Sequence, residues 1–249
     1  MTTVNVFAKL TLTELRLYLR DPMSAFFVII FPTLLVVILG CIPAFREQQD
    51  SLNGGRVIDL YVGIAVLLSI TMLAVQVTPS VLASYRERGV LRRFATTPVS
   101  PLKLLGAQLA MNLICAVAAT ALVLAVGRIA FDVPLAAQFG GFVLALLLSA
   151  AAVLALGLVV AALVPTGKAG NSVGTLLFFP LMFFAGLWTP REVMPEALRR
   201  VADFTPVGAA ERAVNDTMTG HWPAAISVTV LLGYVVVFGF LAVRWFRWS

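Results

Sequence analysis

The chain has 249 residues, 60% of them hydrophobic and only 12% charged, where ordinary soluble domains carry about 25% charge. That much apolar surface leaves too few polar residues to cover a soluble fold, and it is far too apolar for a disordered chain. The formal charge of +6 is spread between apolar runs rather than gathered in one stripe, and the two cysteines, Cys41 and Cys115, sit in different runs. Nucleic-acid binding and a disulfide framework are therefore not indicated, and the composition predicts a membrane protein.

From the N-terminus, Lys9, Thr13, Arg16 and Arg20 recur at spacings of 4, 3 and 4, one polar stripe on a helix. Phe7, Leu10, Leu15, Leu17 and Tyr18 fill much of the remainder, so residues 1–22 read as an amphipathic helix lying in the membrane interface. Arg20-Asp21-Pro22 should end it, because the residue before a proline avoids the α region. Six uncharged apolar stretches follow at about 23–43, 58–83, 104–127, 139–163, 170–188 and 224–243, each near the roughly 20 residues that cross a bilayer. Pro32, Pro79 and Pro180 predict kinks. The small residues of the fourth stretch, and Gly170-x-x-x-Gly174 in the fifth, suit close helix packing. The expected fold is an all-α membrane protein with six transmembrane helices in a single domain over residues 1–249.

Charge bias orients it. With the N-terminus inside, the inner segments hold Lys9, Arg16, Arg20, Arg86, Arg88, Arg92, Arg93, Lys103, Lys168, Arg244 and Arg247, which is 11 of the 18 basic residues. The positive-inside rule then places both termini in the cytoplasm. The longest outer connection, from Trp188 to Pro223, predicts two short amphipathic helices at the outer leaflet. One follows Pro195 with Leu198, Val201 and Ala202 on a face; the other follows Pro206 with Val207, Ala210, Val214 and Met218, closed by Gly220.

Several motifs invite chemistry and fail on spacing or topology. Gly170-Asn171-Ser172-Val173-Gly174 matches the G-x-S-x-G of serine hydrolases, which in a six-span chain suggests a rhomboid-like intramembrane protease. Its only candidate base is His221, predicted to lie on the opposite side of a hydrocarbon core about 30 Å thick. Gly167-Lys168 lacks the rest of a phosphate loop, since Ala162 stands where its first glycine belongs and Ala169 where Ser or Thr is needed. Leu39-Gly40-Cys41 resembles a lipoprotein cleavage box only faintly. No His, Cys or carboxylate cluster has metal-ligand spacing. No Asp, Glu, Lys or Arg falls near the middle of a predicted span, so an ion-coupled carrier lacks its usual relay. Energy must come from another chain, or transport is passive, as in a channel.

The inner loop from Tyr85 to Pro98 is the most informative stretch. Val90, Leu91 and Phe94 form one apolar patch on a helix, rimmed by Arg88, Arg92 and Arg93. The patch suits either docking to a cytoplasmic partner or anchoring to anionic lipid.

Three motifs in this order, together with the length and span count, resemble the type-2 permeases of ATP-binding-cassette exporters, particularly the daunorubicin-type drug exporter subunits. They are Arg20-Asp21-Pro22 before the first span, Glu87-Arg88-Gly89-x-Leu91-Arg92-Arg93 with Thr97-Pro98 after the second, and Phe179-Pro180-Leu181-Met182-Phe183-Phe184-x-Gly186-Leu187-Trp188-x-Pro190 followed by Met194-Pro195. The resemblance implies a plasma-membrane permease working as two halves, a second copy or a paralogue, with two separate ATPases that bind the ATP and magnesium; this chain needs no cofactor. It makes Glu87, Arg88, Leu91, Arg92, Arg93 and Phe94 an ATPase-coupling helix, with the N-terminal helix (Lys9, Arg16, Arg20) also touching the ATPase. The outer helices become re-entrant. It places Ser69, Thr71, Gln76 and Thr78 of the second span near a substrate path, with Asn171, Thr175, Phe178, Phe179, Met182 and Phe183 of the fifth. Of these, Ser69 and Gln76 share one helical face, Thr71 and Thr78 a roughly opposite one, while Asn171, Thr175, Phe178 and Met182 form a coherent polar-to-aromatic face. The cargo expected is an amphipathic drug-like or lipid-like molecule. A polysaccharide or lipid-linked polymer is the alternative.

Overall fold

The computed structural model describes residues 3–49, 54–90 and 101–245. Among them the chain is helical apart from loops and one isolated bridge between Gln48 and Arg56. In order, the helices are α1 (Thr3–Leu19), α2 (Pro22–Gly40), α3 (Val57–Glu87), α4 (Pro101–Phe131), α5 (Phe139–Leu163), α6 (Gly167–Phe184), α7 (Glu196–Asp203), α8 (Pro206–Met218) and α9 (Ala225–Trp245).

Five of these, α2, α3, α4 (from Lys103), α5 and α9, are long and apolar enough to cross a membrane. The expected fifth span corresponds to α6, which has 18 residues and carries Lys168, Asn171, Ser172 and Thr175 in its first half, so it falls short of the other five in apolar character. It starts earlier than 170 because Thr166 caps it, accepting a hydrogen bond from Ala169 N at 3.2 Å. It stops before 188 because Gly186 takes a positive φ of 88°.

The core is built around α3, which packs against α2, α4, α5, α6 and α8, while α9 lies mainly on α5. Proline shapes both α2 and α3. Each widens into a π-turn just before its proline, Phe26–Ile30 ahead of Pro32 and Leu73–Val77 ahead of Pro79, because proline brings no N–H to the preceding turn and its ring crowds the carbonyl four residues back. In α3 the Thr78 hydroxyl donates to Leu73 O (2.9 Å) and accepts from Asn112 Nδ2 of α4 (2.9 Å).

The carbonyls of the α3 π-turn are met by glycines. A Cβ on Gly157 of α5 would lie 1.9 Å from Ala74 O, and one on Gly174 of α6 would lie 1.9 Å from Val75 O. Only glycine lets a helix backbone come so close, at the range where a Cα–H faces a carbonyl oxygen. Gly170 and Gly167 extend the contact down α6, against Pro79 and Ser84 respectively.

On α1 the cationic stripe is outermost. Lys9, Thr13, Arg16 and Arg20 are exposed, whereas Glu14 and Tyr18, on the opposite side, are buried against the rest of the fold.

Candidate functional site

Between α2, α3 and α6 lies a cavity of about 340 Å³. Gln76 of α3 and Asn171 and Thr175 of α6 line it together with Asp21, Ser24 and Phe27 at the start of α2. The glycine contact at Gly170 and Gly174 brings α6 close enough for its next residues, Asn171 and Thr175, to stand beside Gln76. Asp21 is positioned as a helix cap: its carboxylate accepts from Ser24 N (3.3 Å) and from the Ser24 hydroxyl (2.6 Å), with Pro22 at the first helical position. The wall is therefore mixed, with an amide pair, three hydroxyls and a carboxylate set among Met23, Phe27, Val28 and Met72.

The other expected path residues lie elsewhere. Ser69, Thr71 and Thr78 are fully buried inside the protein. Ser69 donates to Ala65 O in its own helix (3.2 Å), and Thr78 belongs to the π-turn network. The face of α6 shared by Asn171, Thr175, Phe178 and Met182 divides halfway: the first two line the cavity, and Phe178 and Met182 pass into the core, where α8 packs on the helix. Phe183 is half-buried, with its ring edge-on to Phe184. Phe179 is exposed and stacks on Trp188 with ring centroids 5.9 Å apart. Residues that the sequence reading passed over are Asp21, Met23, Ser24, Phe27 and Ser80, which line the same cavity. The Asp-Pro-x-Ser cap signature was the available signal for Asp21 and Ser24, and Phe27 and Ser80 carried none.

Below the cavity, the end of α3 forms a junction. Tyr85 donates to Glu14 of α1 at 2.8 Å. Arg86 reaches the carbonyls of Ala162 (3.4 Å) and Val164, in the turn between α5 and α6. The Glu87 carboxylate accepts from Gly167 N (3.2 Å) at the start of α6, where a helix N-terminus favours negative charge. Arg88 is exposed and Gly89 has a positive φ of 69°, which turns the chain out of the helix. Of the expected coupling residues, Glu87 and Arg88 are thus placed, and Leu91, Arg92, Arg93 and Phe94 lie outside the described residues. Burial pushes the Glu14 carboxyl above its ordinary range, and the Tyr85 hydrogen bond partly offsets this.

At the other end, α7 and α8 carry a charged cluster. Asp203 pairs with Arg191 and, at 3.2 Å, with Arg212. Glu211 is buried and its carboxyl is pushed up to about 8, chiefly by desolvation, with Glu192, Asp216 and Asp203 adding and Arg191 opposing. His221 pairs with the Thr219 hydroxyl at 3.3 Å. Pro223 and Trp222 pack at Gly141 near the start of α5, while Ser172 lies in the second turn of α6, just past the end of α5. The 25 residues of α5 span about 37 Å, so Ser172 and His221 stand at opposite ends of the molecule. A nucleophile and its base must be within about 3 Å.

Residues 5–219 match the family model described as ABC-2 type transporter. The chain belongs to the ABC-2 type transporter family. A member of this family with five long apolar helices is a multi-pass membrane protein. The chain is also 29% identical, over 139 residues, to the inner membrane transport permease YhhJ of Escherichia coli (strain K12) and to the protein of the same name in Shigella flexneri. That alignment covers 55% of this chain and 37% of each relative, so the chain spans well under half the length of the curated proteins it matches.

Proposed function

We propose that this ABC-2 family chain is the membrane-spanning subunit of an ATP-driven exporter, moving an amphipathic drug-like or lipid-like substrate outward. Two copies, or this chain and a paralogue, form the conduit, and two separate ATPase subunits bind ATP and magnesium. In this reading α6 also crosses the membrane, as the fifth of six spans, both termini face the cytoplasm at the plasma membrane, α1 lies in the inner interface, and α7 and α8 dip into the outer leaflet.

The observation that carries the reading is the junction at the end of α3. One turn, Tyr85 to Glu87, bonds to α1, to the α5–α6 turn and to the first residue of α6. A push on the adjoining loop reaches α3 and α6, two of the three helices that frame the cavity, which is how closure of an ATPase could be felt at a site it never touches. The cavity wall supports the choice of cargo. Amide, hydroxyl and carboxylate groups beside Phe27, Met23 and Met72 suit a molecule with a polar end and an apolar body.

The test is the double substitution Arg92→Glu with Arg93→Glu. The expected result is loss of co-purification with the ATPase and loss of ATP-dependent flux in inverted vesicles, with the protein still folded in the membrane. Unchanged co-purification and flux would overturn the coupling assignment.

A further inference from the structure

A second cavity, of about 250 Å³, lies between α1, the start of α2, the lower part of α3 and α4. It shares Asp21, Ser24 and Ser80 with the first cavity, but its floor is different. Gln108 of α4 lines it at 1% exposure, and neither Nε2 nor Oε1 of its amide has a hydrogen-bond partner. Glu14 of α1 lines it at 6% exposure, accepts one hydrogen bond, from Tyr85, and forms no ion pair among the described residues, although the exposed Arg88 also lines the cavity. The Asp21 carboxylate is engaged by Ser24. Leu17 and Met111 supply apolar wall.

A desolvated carboxylate is stabilised by a cation or by several donors, and one neutral hydroxyl falls short of that. An unpaired buried amide carbonyl is costly for the same reason, and it too needs a donor. One group answers both: a protonated primary amine has three N–H donors and a positive charge in a small volume. The unpaired Gln108 Nε2 calls for an acceptor beside it, as a hydroxyl or phosphate-ester oxygen next to the amine would provide. Leu17 and Met111 accommodate the start of an apolar stem.

We propose that this cavity binds the protonated amine head of an amphiphile, with Glu14 as its counter-ion and Gln108 Oε1 as a further acceptor. The source is either a membrane lipid with an aminoethyl phosphate head or a free cationic amphiphile. The site is separate from the coupling assignment and stands whether or not the exporter reading holds.

The test uses the purified full chain in neutral detergent and three probes with the same tail: dodecylammonium, dodecyltrimethylammonium and dodecanol. Dodecylammonium should raise Tm saturably, the quaternary probe should bind about tenfold more weakly because it has no N–H, and dodecanol should give no saturable shift. Glu14→Gln should weaken dodecylammonium binding by about tenfold or more, Glu14→Asp should stay within about threefold of wild type, and Gln108→Leu should weaken it several-fold. If Glu14→Gln does not fold, Gln108→Leu decides. Wild-type binding in both variants, or an equal response to dodecanol, would overturn the proposal. In nanodiscs, competition of the probe by phosphatidylethanolamine but not by phosphatidylcholine identifies the lipid as the source, and no competition by either identifies the free amphiphile. Because all of these read binding without the ATPase, their failure leaves the Arg92→Glu, Arg93→Glu test untouched.

Discussion

Helices α3 and α9 are both long and strongly apolar, yet they live in different surroundings. Most of α3 is enclosed by other helices, and its backbone lies against Gly157, Gly170 and Gly174. By contrast, α9 touches the protein along one side and leaves Val236, Phe240 and Val243 exposed at 68%, 64% and 81%. Hydropathy cannot separate the two, since lipid and protein interior are equally apolar. What separates them is which neighbours carry no side chain. Glycine admits a second helix to backbone contact, and the widened π-turn of α3 provides carbonyls for that contact.

The sharpest way to break this comparison is Gly174→Val. A Cβ there would overlap Val75 O and crowd Gln76 Cα, both backbone atoms that cannot rotate away. Helix α6 would have to separate from α3, with the cavity wall at Asn171 and Thr175 going with it. The expected outcome is a loss above about 3 kcal/mol, beyond the usual range for overpacking, seen as a collapse of monodisperse protein on size exclusion and a much lower Tm. A variant with wild-type Tm would mean that the glycine contact does not hold α6 in place.

The enclosed side also differs in what it does to charge, and Glu211 on α8 tests that. Its carboxyl is held at about 8 against an ordinary 4.5. Between those values the unfolded chain gives up its proton while the folded chain keeps it. Stability should therefore fall as pH rises from about 4.5 to about 8 and level off above that. Glu211→Gln should remove this slope and raise Tm above that of wild type by several degrees at alkaline pH. Thermal midpoints measured across that range in both proteins check it, and equal slopes would show that Glu211 is ionised in the fold.

Much of the fold was legible because it depends on spans, prolines and glycines, all local in sequence. The fourth expected span, 139–163, coincides with α5, and α7 and α8 begin at Glu196 and Pro206, next to the two prolines. The cavity was half legible. Gln76, Asn171 and Thr175 share it, but helical spacing alone cannot say that Phe178 and Met182, on the same α6 face, turn into the core. Ser69 and Thr78 are path residues only by the family resemblance, which places a whole span and not a face. In the fold both are buried and bond backbone carbonyls, Thr78 at the π-turn ahead of Pro79. Glu14 belongs to none of the motifs the sequence offers. Its partner, Tyr85, lies 71 residues away, and no local pattern joins them.

The smallest effect belongs to a glycine that packs against nothing. A Cβ on Gly233 of α9 would meet no atom within 4 Å, whereas one on Gly174 meets a carbonyl at 1.9 Å. Gly233→Ala should therefore leave Tm unchanged or raise it slightly, by at most the helix-propensity gain of about 1 kcal/mol. Running both variants in the same detergent separates a glycine kept for contact from one the helix merely tolerates. If Gly233→Ala behaves so in detergent but lowers Tm in a bilayer, the open face of α9 is occupied there by another helix, and its contrast with α3 would be a property of the isolated chain rather than of the assembled protein.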